Sequence, residues 1–154
     1  MEKKKILVRY FLGTDLKIIE IMAYKATEHL YIHKQIDHET LTTHDEEDDN
    51  IPWAITSEPN RTIIFYVGRT KEQMVRLAKM IEADFDFSQK ECFTDDQKLW
   101  LIRYTYRFKY CEIMKRIFRL SKDYENGKID DDKYNQKLKR LESWAKHFVV
   151  EGIE

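Results

Sequence analysis

The chain has little of what most enzyme signatures are built from. It has only four glycines, at positions 13, 68, 127 and 152, each isolated. There is therefore no Gly-x-Gly-x-x-Gly turn and no Walker-type loop to cradle phosphates. No His-Glu-x-x-His pair is present. Uncharged apolar runs extend for only a handful of residues, far short of the ~20 that a membrane span needs. The basic start Met1-Glu2-Lys3-Lys4-Lys5 superficially suits a leader, but Arg9 interrupts the apolar run that follows. No small-residue cleavage site comes after it, so a secretory leader is not expected. The two cysteines, Cys92 and Cys111, are too few for a disulfide framework. They are expected to be reduced and packed, which points to the cytoplasm.

What remains is the composition of a folded chain: 42% apolar, 36% charged and only two prolines among 154 residues. That length suffices for a core without disulfide or metal staples, and one domain is expected over residues 1–154. The net charge of −1 conceals a contrast between the halves. Residues 1–87 carry 12 Lys+Arg against 16 Asp+Glu, whereas residues 88–154 carry 15 against 12. A contrast of this size excludes neither a protein nor a nucleic acid as partner.

The first half reads as sheet. Ile6, Val8, Tyr10 and Leu12 alternate with Arg9 and its neighbours, Gly13-Thr14-Asp15 suits a hairpin turn, and residues 16–24 read as the returning strand. Leu16, Ile19, Ala23, Ala26 and Leu30 would also fit a helix. The β-branched isoleucines and the preceding turn favour the strand. Residues 29–36 suggest a third strand, 53–56 a fourth and 61–67 a fifth. Thr70 and Gln73 have capping-box spacing, and Met74, Leu77, Ala78 and Ile81 then give one apolar helix face closing near Phe85. Between the third and fourth strands, residues 37–51 lose almost all apolar content and include five consecutive acids, which predicts a mobile loop.

The second half reads as a long helix over residues 94–126 and a shorter one over 130–150. Thr94 and Gln97 repeat the capping spacing, and Asp95 and Asp96 favour the positive end of the helix dipole. Leu99, Ile102, Tyr106, Tyr110, Ile113, Ile117 and Leu120 form one apolar stripe. Trp100, Tyr104, Phe108, Cys111 and Phe118 form a second. Two stripes require two covers, expected to be the last helix and the sheet. The expected fold class is thus α+β: an antiparallel sheet with one covering helix over 1–87, then a helical hairpin over 88–154.

The hairpin also carries a resemblance. Ile117-Phe118-Arg119-Leu120, Glu125-Asn126-Gly127-Lys128-Ile129-Asp130, and Tyr134, Lys137, Leu138 and Leu141 together resemble the SHOCT type of short helical hairpin. This covers about 25 of the 154 residues. It implies a segment associated with oligomerisation or interaction, not with chemistry.

Candidate functional residues fall into three groups. His29, His33, His38 and His44 crowd one short stretch and offer nitrogen donors to a transition metal, although their spacing matches no metal motif. His38-Glu39-Thr40 is a His-x-Thr triplet of the kind two-histidine phosphoesterases use twice, and no second one occurs. Placing Gly127 at the sixth position of a calcium loop puts Lys122, Tyr124 and Lys133 where carboxylates are needed. The second group is the acidic block Asp45, Glu46, Glu47, Asp48 and Asp49, which could present phosphate-like charge to a basic partner. The third is the basic edge of the long helix, with Arg103, Arg107, Lys109, Arg116 and Arg119 as its principal members. Eight cations and one acid lie between Lys98 and Lys122. The expectation is a non-enzymatic module that binds another protein, such as a small phage or mobile-element inhibitor or adaptor, with no cofactor and no membrane. A nucleic-acid contact through the basic edge, a metal-dependent enzyme and a homodimer are the alternatives.

Overall fold

The computed structural model describes residues 1–68 and 70–148, with the side chains of 65–68 left aside. Its elements are β1 (Lys3–Leu12), β2 (Asp15–Lys25), β3 (Leu30–Lys34), β4 (Trp53–Ser57), β5 (Thr62–Gly68), α1 (Lys71–Asp84), α2 (Asp95–Glu125) and α3 (Asp131–His147). The fold is α+β. The chain divides into two compact units, Met1–Gln97 and Lys98–Glu154.

The first unit is an antiparallel meander in the order β1-β2-β3-β4-β5. Gly13 takes φ +65° at the first position of the two-residue β1–β2 loop, which lets Leu12 pair directly with Asp15. Beyond the paired ladders, the Arg9 amide donates to the Arg61 carbonyl at 2.8 Å, so the sheet curls until β1 approaches β5. Strand alternation then gives each face its own filling. Ile6, Val8, Ile19, Ile21, Ala23 and Tyr31 form one buried cluster with Ile36, and Tyr10 and Ile63 pack against it. The opposite face carries α1, whose Met74, Leu77, Ala78 and Ile81 are buried. Lys71 of that helix sits 3.8 Å from the centre of the Tyr24 ring on the same face.

After α1 the chain has no regular structure until α2, yet it is not loose packing. Phe85, Phe87 and Phe93 form a three-ring cluster with centroids 4.7–6.1 Å apart. Gln89 and Gln97 exchange amide hydrogen bonds at 2.8 and 3.3 Å. Thr94 and Gln97 complete a reciprocal capping box at 3.2 and 2.9 Å.

The second unit is the helical hairpin. α2 ends in a Schellman arrangement: Gly127 at φ +72° donates to the Tyr124 carbonyl, and Lys128 donates to that of Asp123. Asp130 then caps α3 by accepting from the Lys133 amide at 2.8 Å. Rings of Tyr124 and Tyr134 stack at 4.3 Å near the turn, and Tyr106 meets Phe148 edge-on at 5.5 Å farther along. The expected end of α3 at 149–150 lies outside the described residues.

A candidate interaction surface on the helical hairpin

The histidines do not gather. The ring Nδ1 of His29 and its backbone amide both donate to Glu82 Oε1, at 2.6 and 3.1 Å, tying the start of β3 to α1. His33 is buried inside the curled sheet. Its Nδ1 lies 2.7 Å from the Lys34 carbonyl, which can only accept, so that nitrogen carries the proton. Nε2 then accepts from the Thr56 hydroxyl at 2.7 Å. Desolvation pushes the His33 pKa down to about 4, only partly opposed by the carbonyl bond. His38 is exposed, near Glu39, and His44 is half-buried. Among the described residues no three His, Cys, Asp or Glu side chains converge as a metal site. Four histidines close in sequence are separated by strand alternation and by the loop.

The acidic block is anchored through its backbone. Buried Lys34 donates from Nζ to the carbonyls of Asp48 and Ile51, at 2.8 and 2.7 Å, with its ammonium 5.0 Å from the Trp53 ring centre. Asp45 and Asp48 each accept from a backbone amide two residues on, at 2.9 and 3.0 Å, which folds the block into local turns. Glu46 accepts from the Tyr24 hydroxyl at 3.1 Å and pairs with Lys3 at 3.6 Å. The Glu46 carboxylate raises the Tyr24 pKa by accepting that proton. Glu47 and Asp49 remain exposed. Loop 37–51 is thus tied to the sheet at its acidic end, and three of its five acids serve its own construction.

The long helix departs from the sequence reading in an informative way. Its buried residues are Leu101, Thr105, Ile113 and Leu120. Leu99 and Ile102, expected on the covered stripe, are each 47% exposed. The expected stripe advances by 3.5 residues on average, whereas an α-helix turns every 3.6. A 3.5-residue seam drifts by ~20° per heptad, so over three heptads it rotates by about 60°. That drift carries Leu99, three heptads before Leu120, away from the face that Ile113 and Leu120 keep covered; Ile102 lies five full turns before Leu120, so the drift does not explain its exposure. The cysteines also differ from expectation: both are free thiols, but both are exposed rather than packed. Cys92 lies in the segment before α2, where the Arg9 guanidinium reaches its sulfur. Cys111 lies on the outward side of α2.

That outward side is where the candidate surface forms. Trp100, Tyr104, Arg107, Cys111, Met114 and Phe118 follow one another at alternating four- and three-residue steps, the spacing of a helix–helix contact seam. Trp100 and Tyr104 stack at 5.2 Å. Phe118 is 65% exposed, the second most exposed large apolar side chain among the described residues. Cys111, Met114, Lys115, Phe118 and Arg119 line a shallow hollow of about 540 Å³. Arg107 is exposed within the seam and Arg103 and Arg119 stand exposed beside it, Lys122 lies 5.5 Å from the Phe118 ring centre, and Lys109 and Arg116 are half-buried. Met114 was not singled out in sequence, although its i+3 step from Cys111 places it on this line.

Charge reinforces the division of the chain. Residues 98–154 carry 14 Lys+Arg against nine Asp+Glu, net +5. The remaining residues, 1–97, carry 13 against 19, net −6. Among the described residues no helix is long and apolar enough to cross a membrane. No protein-family model, curated protein or solved structure matches the chain.

Proposed function

We propose that this protein is a non-enzymatic binding module that captures another protein through the outward seam of α2, in the manner of a small inhibitor or adaptor. The observation that carries this reading is Phe118, 65% exposed beside Met114 and Cys111, at a hollow edged by Lys115 and Arg119. Large exposed aromatics edged by cations have the composition of interface anchors, where aromatic and Arg residues are enriched. The partner segment is an acidic amphipathic helix. Its apolar stripe would meet the seam, and its carboxylates would meet Arg103, Arg107 and Arg119. A second copy of this chain is a poor occupant, because two α2 seams would bring rows of cations face to face, and like-charge juxtaposition costs several kcal/mol. The resemblance of the hairpin to SHOCT-type segments leans toward interaction as well. Two free, exposed thiols suit a reducing compartment such as the cytoplasm.

The test uses a synthetic helical peptide with leucines on one face and glutamates on the other, its binding followed by fluorescence anisotropy. Wild type is expected to bind it with an affinity that falls as salt rises. Phe118→Asp should weaken binding about 30-fold, the equivalent of a ~2 kcal/mol interface anchor. Equal binding by the variant would overturn the assignment of the seam. A wild-type dimer in sedimentation that Phe118→Asp dissociates would replace the acidic partner with a second copy.

A further inference from the structure

The side of α2 that meets α3 carries a second feature, which shares only Arg119 with the hollow at Phe118. Arg116, Arg119, Leu120 and Asp123 from α2 and Lys137, Arg140 and Leu141 from α3 line a groove of about 280 Å³. On α2 these residues fall at steps of three and four, and on α3 likewise, so each helix turns one compact row into the groove. Four cations therefore surround a floor of two leucines and face one carboxylate. That carboxylate is already engaged, because Asp123 Oδ1 pairs with Lys128 in the turn at 3.9 Å. None of the ion pairs among the described residues involves Arg116, Arg119, Lys137 or Arg140. Like charges three residues apart on one helix repel, and here two such pairs sit across from each other. The hairpin keeps that repulsion unrelieved although Asp130, Asp131 and Asp132 stand at the start of the same helix.

We propose that this groove binds a short chain of linked phosphates. Three guanidiniums provide planar, paired donors matched to phosphate oxygens, and the lysine adds a point charge. The row from Arg116 to Asp123 rises about 10 Å along the helix. That length accommodates linked phosphates but is short for a nucleic-acid track, whose sites cover about 4–16 nucleotides. The shared chemistry is the polyphosphate, whether inorganic or carried by a nucleotide.

Inorganic triphosphate, titrated into the full chain by calorimetry, is the probe. Wild type should bind it, and Arg116→Gln with Arg140→Gln should weaken binding about tenfold or more. Lys139→Gln with Lys146→Gln removes the same charge outside the groove and should change affinity less than about twofold. Should the first pair disturb folding, as judged by its thermal melt, Lys137→Gln with Arg140→Gln on α3 alone tests the same groove. Tighter binding of a nucleoside triphosphate than of triphosphate would identify a nucleotide, and equal binding an inorganic source. Absence of binding, or equal losses from the groove pair and the control pair, would overturn the proposal. Retention of a single-stranded oligonucleotide without triphosphate binding would overturn it in favour of a nucleic-acid surface. Phe118→Ala removes the seam's anchor without adding a charge beside Arg119 and should leave triphosphate binding intact, which separates failure of this site from failure of the seam.

Discussion

Buried His33 links the stability of the first unit to pH in a direction opposite to that of a salt-bridged histidine. Its Nδ1 proton is committed to the Lys34 carbonyl, and its Nε2 accepts from Thr56. Adding a proton to Nε2 places a charge in the sheet interior and forces the Thr56 hydroxyl to turn around. The group therefore stays neutral in the folded chain down to about pH 4, while the unfolded chain takes up a proton near 6.5. Above 6.5 neither state is protonated and the contribution is fully present. As pH falls from 6.5 to about 4 the unfolded state gains the proton alone, and stability is lost. At ~1.36 kcal/mol per pH unit, that interval corresponds to about 3 kcal/mol. Urea unfolding of wild type and His33→Gln across pH 7.5 to 4 would isolate it, because the carboxylates titrate in both proteins and Gln does not. The difference between the two stabilities should narrow by about 3 kcal/mol as pH falls through this window. An NMR titration should show the His33 ring resonance unmoved until below pH 5. Parallel stability curves, or a ring that titrates near 6.5, would refute the argument.

Three other outcomes follow from named contacts. Lys34→Met keeps the buried stem but leaves the Asp48 and Ile51 carbonyls without their donor. It should cost about 2–3 kcal/mol in urea unfolding and speed proteolytic cleavage within 45–50. Gly127→Ala forces a Cβ into φ +72° with open space around it, so strain alone should lower stability by about 1–2 kcal/mol in thermal melts, and Gly127→Asn by less. Exposed Cys111 should react with maleimide in the folded protein, and the acidic amphipathic peptide should slow that reaction at Cys111 but not at Cys92. Equal protection of both thiols would contradict the placement of the peptide on the seam.

The elements were legible where one period repeated. Ile6 and Val8 against Ile19 and Ile21 alternate over a hairpin whose turn residue is explicit, and the register pairs them directly. The caps of α1 and α2 were legible because Thr70 and Thr94 act on amides three residues away. Residues 85–93 carried no such signal: their three phenylalanines follow neither period, and only the fold makes them a cluster. His33 misled for another reason, and its neighbour Lys34 gave no signal at all. A histidine in a strand suggests solvent or a ligand, yet both residues are buried by what lies on their two faces of the sheet. Lys34 meets loop carbonyls 14 and 17 positions on, and His33 meets a hydroxyl 23 positions on. Neither partner is defined until β3 and β4 are in register.

The same dependence on register governs the candidate surfaces. Arg116 and Arg119 were visible as two of five candidate cations on one helix, with nothing to set them apart from Arg103, Arg107 and Lys109. Lys137 and Arg140 were visible only as charges on another. What makes these four a group is the tight turn at Gly127, which fixes how far α3 slides along α2. Tyr124 stacked on Tyr134, and the Tyr124 hydroxyl donating to Asp131, pin that slide at the turn. Asp131 accordingly raises the Tyr124 pKa. Shifting α3 by one turn would carry Lys137 and Arg140 about 5.4 Å along α2. The cations of the two rows would then no longer face one another across one groove. The outward seam is indifferent to such a shift, since all its residues belong to α2. Loosening the turn, as Gly127→Ala does, should therefore weaken triphosphate binding more than it weakens peptide binding, a difference that one isolated basic helix would not produce.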